Sequence, residues 1–523
     1  MRGRRYAGIA FIAALLASVA ACGSRPPDRA PAGPATAADT VQTPAGPVQG
    51  RVNGAGAVFL GIPYAAPPVG RLRWQPPQPV ARWTQPLPAS HLGHPCPQPR
   101  VSGTAEDCLY LNVYAPVRSA AKLPVILWIH GGSFSSGQAG DVDGTDLAIR
   151  GHVVVVSLNY RLGPLGFLDL ASMTTAQNGA SPGDFGLLDQ QAGMRWVRDS
   201  IAAFGGDPAH VTIMGQSAGA ASVCAHLSSP GAAGLFARAI AESGCTQGFR
   251  ARPLAQAQGA ELAAAAGCPN PGDQLACLRA VPADRLIATA AARTDLSWQP
   301  ATGTPTLPTT TVSALQTGKF AQVPILIGTN HNEGGIFVTP SYDSSTSRLS
   351  ANRYVSALST QFGAPAASAV AATYPLSTYG SPGAALAAAV GDGRFSCPAL
   401  NAADLLSRSV PTFAYEFDDE QAPQRFSFTP AFPLGAYHTA EIQYVFPRSG
   451  SLLTGAHAGL SARMVGYWTR FAATGNPDPP GQTTWPKYVS GSGVFTRLSP
   501  TSRQPVSDFP TEHRCGFWAR PSR

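Results

Sequence analysis

The stretch Val211-Thr-Ile-Met-Gly-Gln-Ser-Ala-Gly219, VTIMGQSAG, decides the fold expected for this chain. A β-branched, apolar run ends at Gly215, and a single serine, Ser217, follows close by between two glycines. The pattern G-x-S-x-G forms a sharp turn between a strand and a helix, which exposes the serine hydroxyl at the carboxyl end of a sheet. The turn therefore predicts a nucleophilic serine at a helix N-terminus, where the helix dipole favours negative charge.

The segments around this turn have the pattern of a doubly wound α/β fold. Residues 123–130 and 152–158 are apolar on both faces, as in parallel strands that are covered by helices on both sides. Further strands are predicted at 57–60, 109–114, 211–214, 323–328 and 412–417, and helical segments at 183–203, 218–227, 250–321, 341–405 and 460–473. We expect a mostly parallel central sheet with helices on both faces and helical insertions.

The composition is that of a large globular protein rich in turns. The 523 residues are 44% hydrophobic and 13% charged, which argues against disorder, and 55 glycines with 49 prolines predict many loops. The formal net charge of +8 is spread over a large surface, so we expect no nucleic-acid partner. Because no long linker interrupts residues 41–523, we predict that they form one domain.

The N-terminus has the pattern of an export signal. Three arginines within the first five residues precede the apolar run IAFIAALLA and a stretch of small residues that ends at Cys22. We expect residues 1–21 to be a lipoprotein-type signal peptide and Cys22 to be lipidated; an ordinary secretory signal is the alternative. Residues 22–40 are predicted to be a flexible Ala/Pro-rich tether. The expected location is the outer face of a bacterial cell membrane, with a lipid anchor as the only membrane contact, or secretion.

The cysteine content fits an exported, oxidised protein. The chain has nine cysteines, and eight remain when Cys22 is set aside, which is an even number suited to disulfides. Cys96 and Cys108 flank a short loop, as do Cys268 and Cys277, so local pairing is plausible for both pairs. No Cys/His cluster in the sequence has the spacing of a zinc site, so we predict no metal.

A glycine-rich loop after a buried strand is the candidate oxyanion site. The run WIHGGSF at 128–134 matches the loop that provides backbone N–H donors in hydrolases with this type of serine turn. The expected donors are the N–H groups of Gly132, Ser133 and Ala218.

The acid of a catalytic triad is expected after the serine and before the histidine. A serine needs a base that is held by an acid, and in this type of fold the chain order is serine, acid, histidine. Glu333 meets the requirement, because it lies in a loop directly after the predicted strand 323–328. The acidic loop DDE at 418–420, after another predicted strand, is the alternative.

His438 is the preferred base, since it lies between a loop and an apolar run and follows both candidate acids. Four other histidines follow the turn and fit less well. His226 lies within the helix after the turn. His331 shares the loop of Glu333 and is expected to point to solvent. His457 and His513 are expected at the surface.

The chain resembles the type-B carboxylesterase family, which includes the cholinesterases, within the α/β-hydrolase fold. The resemblance runs from about residue 43 to residue 518. Its landmarks are FLGIPY at 59–64, EDCLYLN at 106–112, NYRLG at 159–163, GLLDQ at 186–190, FGGDP at 204–208, GQSAG at 215–219, YWTRF at 467–471 and GNP at 475–477.

This resemblance implies the roles of the site residues. It implies Ser217 as nucleophile, Glu333 as acid and His438 as base, in agreement with the choice made from the residues. The implied activity is hydrolysis of small to medium carboxylic esters through an acyl-enzyme, with a small-molecule substrate and no cofactor.

The resemblance also implies structural pairs. It pairs Cys96 with Cys108, Cys268 with Cys277 and Cys397 with Cys515, and it leaves Cys224 and Cys245 as a fourth candidate pair. It implies buried ion pairs between Arg73 and Glu106 and between Arg161 and Asp189, and it implies core positions for Trp128 and Tyr467.

The chain departs from the family pattern at three places near the site. Ser133 replaces the third glycine of the oxyanion loop, and Gln216 stands where glutamate is frequent. The loop 96–108 holds no tryptophan, whereas cholinesterases use an aromatic ring there to hold a quaternary ammonium group by cation–π attraction. Choline esters are therefore not expected to be preferred.

Other functions on the same framework remain alternatives. An amidase, a lactonase or an acyltransferase would share the triad and the acyl-enzyme. A lipase would need a mobile apolar lid, and no segment stands out as one. A non-catalytic adhesion protein of this fold would lose the serine or the histidine, and this chain keeps both. The natural substrate and the oligomeric state are not predicted.

Overall fold

The computed structural model describes residues 38–117, 122–176, 182–246, 248–344, 346–426, 428–448, 452–481 and 485–519. The predicted signal peptide, Cys22 and most of the predicted tether lie outside these residues. The first strand begins at Ala38, so the last three residues of the predicted tether, 38–40, belong to the sheet.

The architecture is built on one large sheet. The strands are, in chain order, β1 (Ala38–Gln42), β2 (Pro47–Asn53), β3 (Gly56–Pro63), β4 (Leu87–Pro88), β5 (Tyr110–Pro116), β6 (Leu123–Ile129), β7 (Val154–Leu158), β8 (Gly206–Gln216), β9 (Arg238–Glu242), β10 (Arg250–Ala251), β11 (Ala301–Thr302), β12 (Ile325–Asn330), β13 (Thr412–Phe417), β14 (Phe495–Leu498) and β15 (Arg503–Val506). Thirteen of them form a sheet in the order β1-β2-β3-β5-β7-β6-β8-β9-β12-β13-β14-β15, with β4 beside β2. The strands β10 and β11 form a separate pair.

The centre of the sheet is parallel and its margins are antiparallel. All neighbours from β7 through β6, β8, β9, β12 and β13 to β14 pair in parallel. The strands from β1 to β7 on one side, and β15 on the other, pair antiparallel along the main path. Because the carboxyl ends of parallel strands meet at one edge, the loops after β6, β8 and β12 lie along the same edge of the sheet.

Two hydrophobic cores cover the two faces of this sheet. Alternate residues of β6 show why its sequence is apolar throughout, since successive side chains of a strand point to opposite faces. Val125, Leu127 and Ile129 belong to one core, whereas Ile126 and Trp128 belong to the other. All five side chains are buried.

Helices supply the other half of each core. The α-helices are Thr145–Gly151, Gly163–Phe167, Ala171–Ala176, Phe185–Ser200, Ala218–Ser228, Arg252–Ala265, Gln274–Ala280, Ala283–Ala292, Thr311–Gln316, Gly335–Val338, Tyr354–Phe362, Ala364–Thr373, Pro382–Gly391, Cys397–Leu406, Ile442–Val445, Gly455–Thr474, Phe509–Glu512 and Cys515–Trp518. None of the helices in the described ranges combines the length and the apolar character that crossing a membrane requires.

The structure joins the eight remaining cysteines into four disulfides. The disulfides Cys96–Cys108 and Cys268–Cys277 close short loops. Cys224–Cys245 attaches the helix that follows the serine turn, and Cys397–Cys515 links residues 118 positions apart. Two ion pairs expected from the resemblance are present as well, Arg73–Glu106 and Arg161–Asp189. The two expected core residues are each 2% exposed, namely Trp128 and Tyr467.

Candidate active site

The serine turn has the strained geometry that its sequence predicts. Ser217 joins β8 to the helix Ala218–Ser228 with φ of 57° and ψ of −120°, in a region that side-chain-bearing residues rarely occupy. Its N–H donates to the carbonyl oxygen of Glu242 at 2.8 Å, which holds the turn against β9. The hydroxyl of Ser217 makes no hydrogen bond within the described ranges, and the residue is partly exposed.

The two glycines of the turn are needed because the chain passes close to itself. A Cβ at Gly215 would lie 2.5 Å from the backbone of Gly219, and a Cβ at Gly219 would lie 2.0 Å from the carbonyl oxygen of Ile129. These separations are far below van der Waals contact, so a side chain at either position would push β6, β8 and the following helix apart.

Glu333 and His438 form a buried acid–imidazole pair. His438 Nδ1 lies 2.5 Å from Glu333 Oε2, and the two residues are 2% and 0% exposed. The other carboxylate oxygen, Oε1, accepts from the hydroxyl of Thr329 at 2.6 Å and from the N–H of Asn330 at 2.7 Å. Burial raises the pKa of Glu333, but the imidazole of His438 and the hydrogen bond from the N–H of Asn330 outweigh burial and hold the pKa below its ordinary value. The carboxylate is thus kept ionised.

The second ring nitrogen of His438 faces the serine turn. Its Nε2 lies 3.3 Å from the amide nitrogen of Gln216, the residue before Ser217. With the Nδ1 proton directed at Glu333, Nε2 carries the free lone pair and accepts from the Gln216 amide. This ring nitrogen of His438 therefore faces the turn that carries Ser217.

Two aromatic rings fix the plane of the imidazole. The ring centroids of Phe337 and Phe395 lie 5.0 and 4.7 Å from that of His438. The two phenyl rings also stack on each other, with centroids 5.2 Å apart. Such contacts limit rotation of the base and exclude water from one side of the site.

The glycine-rich loop presents free backbone donors. Gly132, Ser133 and Phe134 have consecutive positive φ values of 101°, 53° and 58°, so the chain turns sharply after β6. A Cβ at Gly132 would lie 2.2 Å from the carbonyl oxygen of Ser136. The N–H groups of Gly132, Ser133 and Ala218 have no acceptor among the described residues. They remain available for an anionic oxygen.

Residues 37–518 match the sequence model of the carboxylesterase family.

The chain belongs to the carboxylesterase family.

Similar proteins include a para-nitrobenzyl esterase of Bacillus subtilis, 38% identical over 86% of this chain and 92% of that protein. A fumonisin B1 esterase of Sphingopyxis macrogoltabida is 36% identical over 87% and 85% of the two chains, and an acetylcholinesterase of Bungarus fasciatus is 32% identical over 91% and 85%. A solved structure of a para-nitrobenzyl esterase superposes with a TM-score of 0.79 over 92% of this chain and 99% of its own, at 35% identity. The predicted α/β-hydrolase fold and carboxylesterase activity are confirmed.

The alternative acid of the carboxylesterase is engaged elsewhere. In the loop 418–420, Asp419 lies 2.5 Å from Nδ1 of His457 and accepts from the hydroxyl of Tyr444 at 2.5 Å. These bonds fasten the loop to the helices Ile442–Val445 and Gly455–Thr474, and the described contacts of His438 include none from this loop.

Two expectations about histidines are wrong. His331 does not point to solvent, since its side chain is only 18% exposed and Nδ1 lies 2.8 Å from Glu416 Oε1. His513 is not at the surface, since it is 2% exposed and contacts both Asp392 and Glu416. Both histidines lie near the sheet because Glu416 on β13 is a buried carboxylate that needs cationic or donor partners.

Sequence reasoning missed the residues that support the acid and the base. Thr329 and Asn330, the last two residues of β12, lie four and three residues before Glu333, and this closeness in sequence was the available signal. Phe337 lies four residues after Glu333, which was a weaker signal. Phe395 comes from the π-helical segment Asp392–Ser396, and nothing in the sequence connects that segment with His438.

Proposed function

We propose that this carboxylesterase hydrolyses carboxylic esters with a catalytic triad of Ser217, His438 and Glu333, through an acyl-enzyme. The 2.5 Å contact between Glu333 and His438, beside the strained serine turn, is the observation that carries the proposal. The arrangement satisfies the order of roles in a serine hydrolase: nucleophile, base, and a carboxylate that orients the base.

The first half of the reaction forms the acyl-enzyme. Ser217 Oγ attacks the ester carbonyl carbon while His438 Nε2 takes the hydroxyl proton, and the carbonyl π electrons move to the oxygen. The N–H groups of Gly132, Ser133 and Ala218 bind the resulting oxyanion; loss of one such donor costs about 3–4 kcal/mol in comparable sites. Collapse of the intermediate expels the alkoxide, which takes the proton from His438 and leaves as the alcohol.

The second half releases the acid. Water gives a proton to His438 Nε2 and attacks the acyl carbon, and Ser217 leaves with that proton when the second tetrahedral intermediate collapses. Gln216 holds Nε2 in the free enzyme and is replaced by the serine when substrate arrives. Catalytic hydrogen bonds that are absent in a free enzyme commonly form in the substrate complex.

The substrates proposed are small to medium esters of uncharged alcohols. Two of the similar proteins are named for esters, para-nitrobenzyl esters and fumonisin B1. The loop 96–108, closed by the disulfide Cys96–Cys108, contains no tryptophan, and this argues against preferred recognition of a quaternary ammonium group.

A chain-length series tests the proposal. Purified protein is assayed with para-nitrophenyl acetate, butyrate, octanoate and palmitate, beside the variant Ser217→Ala. We expect turnover that the variant lacks, with a preference for the shorter acyl chains. Folded wild-type protein with no activity on any ester would contradict the proposal and favour a binding protein. Faster turnover of matched anilides than of esters would favour an amidase.

We also propose that the protein is exported as a lipoprotein through Cys22. The support is the arginine-rich start, the apolar run and the small residues before Cys22. Expression in a bacterium followed by detergent phase partition tests this: wild type should enter the detergent phase, and Cys22→Ser should stay in the aqueous phase. Equal partition of both proteins would favour an ordinary secretory signal.

A further inference from the structure

A cluster of potential metal ligands lies behind the acid of the proposed triad. His331 lies in the loop after β12, Glu416 lies on β13, and His513 follows the helix Phe509–Glu512. Glu416 Oε1 lies 2.8 Å from His331 Nδ1 and 2.9 Å from His513 Nε2. The three ligand atoms all lie within 4.8 Å of one another. Two ring nitrogens and one carboxylate oxygen therefore lie close together, with Glu416 Oε1 in contact with both rings.

The polar atoms of His513 and Glu416 that do not face the cluster have hydrogen-bond partners, as the corresponding atoms of metal ligands do. His513 Nδ1 contacts Asp392 Oδ1 at 2.6 Å, and Asp392 Oδ2 accepts from the hydroxyl of Tyr374 at 2.7 Å. Glu416 Oε2 accepts from Arg497 Nε at 2.7 Å. Histidines that bind metals almost always donate their other ring N–H to a carboxylate, carbonyl or water, and this bond fixes the ring and its tautomer.

The two histidines of the cluster adjoin a cavity of about 540 Å³, whereas Glu416 is not among the residues that line it. His331, Asp392 and His513 line this cavity, and so does the carboxylate-bearing residue Glu512. Glu512 Oε1 lies 3.8 Å from His331 Nε2. The cavity gives an ion a path to the histidines. It also has room for a water molecule as the fourth ligand, because three protein ligands leave one position of a tetrahedral site unfilled.

We propose that His331, Glu416 and His513 bind a divalent transition-metal ion, with Zn²⁺ as the best match. Zinc is bound by two histidines, one glutamate and a water in known tetrahedral sites. Tetrahedral ligands at bonds of about 2.0 Å lie roughly 3.3 Å apart. Glu416 Oε1 would have to move about half an ångström farther from each ring nitrogen, and the two ring nitrogens, which lie within 4.8 Å of each other, would have to take the same spacing. Each histidine then releases the proton of that nitrogen to water and gives the nitrogen lone pair to the ion in place of a hydrogen bond to Glu416.

The ion would tie together three parts of the chain that are distant in sequence. His331 lies two residues before Glu333, and its N–H donates to the carbonyl oxygen of Phe417 at 2.9 Å. A metal at the cluster would cross-link the loop that carries Glu333 to β13 and to the C-terminal segment. It would act as a structural clamp behind the proposed triad, and it takes no part in ester chemistry.

A second arrangement around the same histidine is less favourable. His331, Asp418 and Glu420 also place three ligand atoms within 4.8 Å of one another. Glu420 is exposed and Asp418 is only partly buried, whereas Glu416 and His513 are buried. The buried set has fixed partners for its outer atoms, so it requires less ordering when the ion binds.

Direct metal binding tests the proposal, independently of esterase activity. Untagged protein is treated with EDTA, dialysed and titrated with ZnCl₂ by calorimetry, and with CoCl₂ by visible absorption. We expect one equivalent to bind, with Co²⁺ bands typical of tetrahedral coordination, and a rise in melting temperature. The variant His331→Gln should weaken binding at least tenfold. Because His331 is partly exposed, this variant should keep the fold, which circular dichroism checks.

The control is His457→Gln, since this histidine contacts Asp419 and lies outside the cluster. It should bind metal as the wild type does. Absence of saturable Zn²⁺ and Co²⁺ binding by the wild type would overturn the proposal and identify the cluster as an ion-pair network held by protons. Binding that His331→Gln leaves unchanged would overturn it as well, and so would binding that Asp418→Asn abolishes while Glu416→Gln does not.

Discussion

Glu333 and His438 are 105 residues apart in the chain, and their side chains meet at 2.5 Å between Oε2 and Nδ1 in a fully buried position. The contact brings together the loop after β12 and a loop that enters from beyond β13. Its strength depends on the charge of the carboxylate, because an ionised acceptor makes a shorter and stronger hydrogen bond. The pair is therefore the most informative place to test the proposed mechanism.

Replacing Glu333 by glutamine should remove most of the activity and keep the fold. The amide has the size of the carboxylate but no charge, so it neither stabilises the imidazolium nor fixes the tautomer of His438. We expect kcat for a para-nitrophenyl ester to fall by about 10⁴-fold, as in other serine hydrolases that lose this charge. A loss of less than tenfold, with an unchanged melting temperature, would show that Glu333 is not the orienting acid.

Gly219→Ala should destabilise the protein strongly. The new methyl group would lie 2.0 Å from the carbonyl oxygen of Ile129, which is backbone of a central strand. We expect a loss of about 3 kcal/mol or more in the free energy of unfolding, measured by urea denaturation. Gly466→Ala is the matched control, because nothing lies within 4 Å of a Cβ at that helical position. It should stabilise the protein by about 0.5–1 kcal/mol, and equal effects of the two changes would refute the account of the serine turn.

His226 should make stability depend on pH under acidic conditions. Burial lowers the pKa of His226 to about 3, whereas an unfolded histidine has its ordinary value near 6.5. Between these values the unfolded chain binds the proton and the folded chain does not, so stability rises with pH across this window and is complete above it. We expect His226→Gln to flatten this rise in denaturant melts. His130, with a pKa lowered to about 4 by burial, retains a similar contribution in that variant. An unchanged slope would show that His226 is not buried in neutral form.

Removal of the disulfide Cys224–Cys245 should lower stability without removing the site. It closes a loop of 21 residues and braces the helix after Ser217. The double variant with alanine at both positions should lose about 3 kcal/mol by the loop-entropy relation. The pair Cys268–Cys277 closes only 9 residues, and its removal should cost about 0.75 kcal/mol less. A larger loss from the second pair would show that native contacts, rather than loop length, determine the difference.

Strands with long apolar sequences could be predicted from sequence, whereas strands that are short or polar could not. The strands β6 and β7 lie at the centre of the sheet with buried side chains, and their sequences LPVILWI and VVVSL are almost entirely apolar. The strand β9 has only the residues RAIAE, with charged residues at both ends, and β15 is a polar strand at the edge of the sheet. Neither has the alternation or the length that marks a strand.

The three residues of the proposed triad could be predicted from sequence for a similar reason. Ser217, Glu333 and His438 each lie in a local pattern of glycines, strand ends or loops. Their supporting contacts are not local, since Phe395 and Gln216 approach His438 from elements far apart in the chain. The cluster at Glu416 gave no signal at all, because its histidines lie 85 and 97 residues from that carboxylate.

The attachment of residues 509–518 also has a consequence for biosynthesis. This segment provides His513 to Glu416 and Cys515 to a disulfide with Cys397, and β13 pairs directly with the strand that leads to Glu333. A ribosome makes these ten residues after every other part of the site. Phe395, which packs on His438, lies two residues before Cys397, so the segment that carries it is joined to Cys515 only after synthesis has passed that residue and oxidation has formed the disulfide.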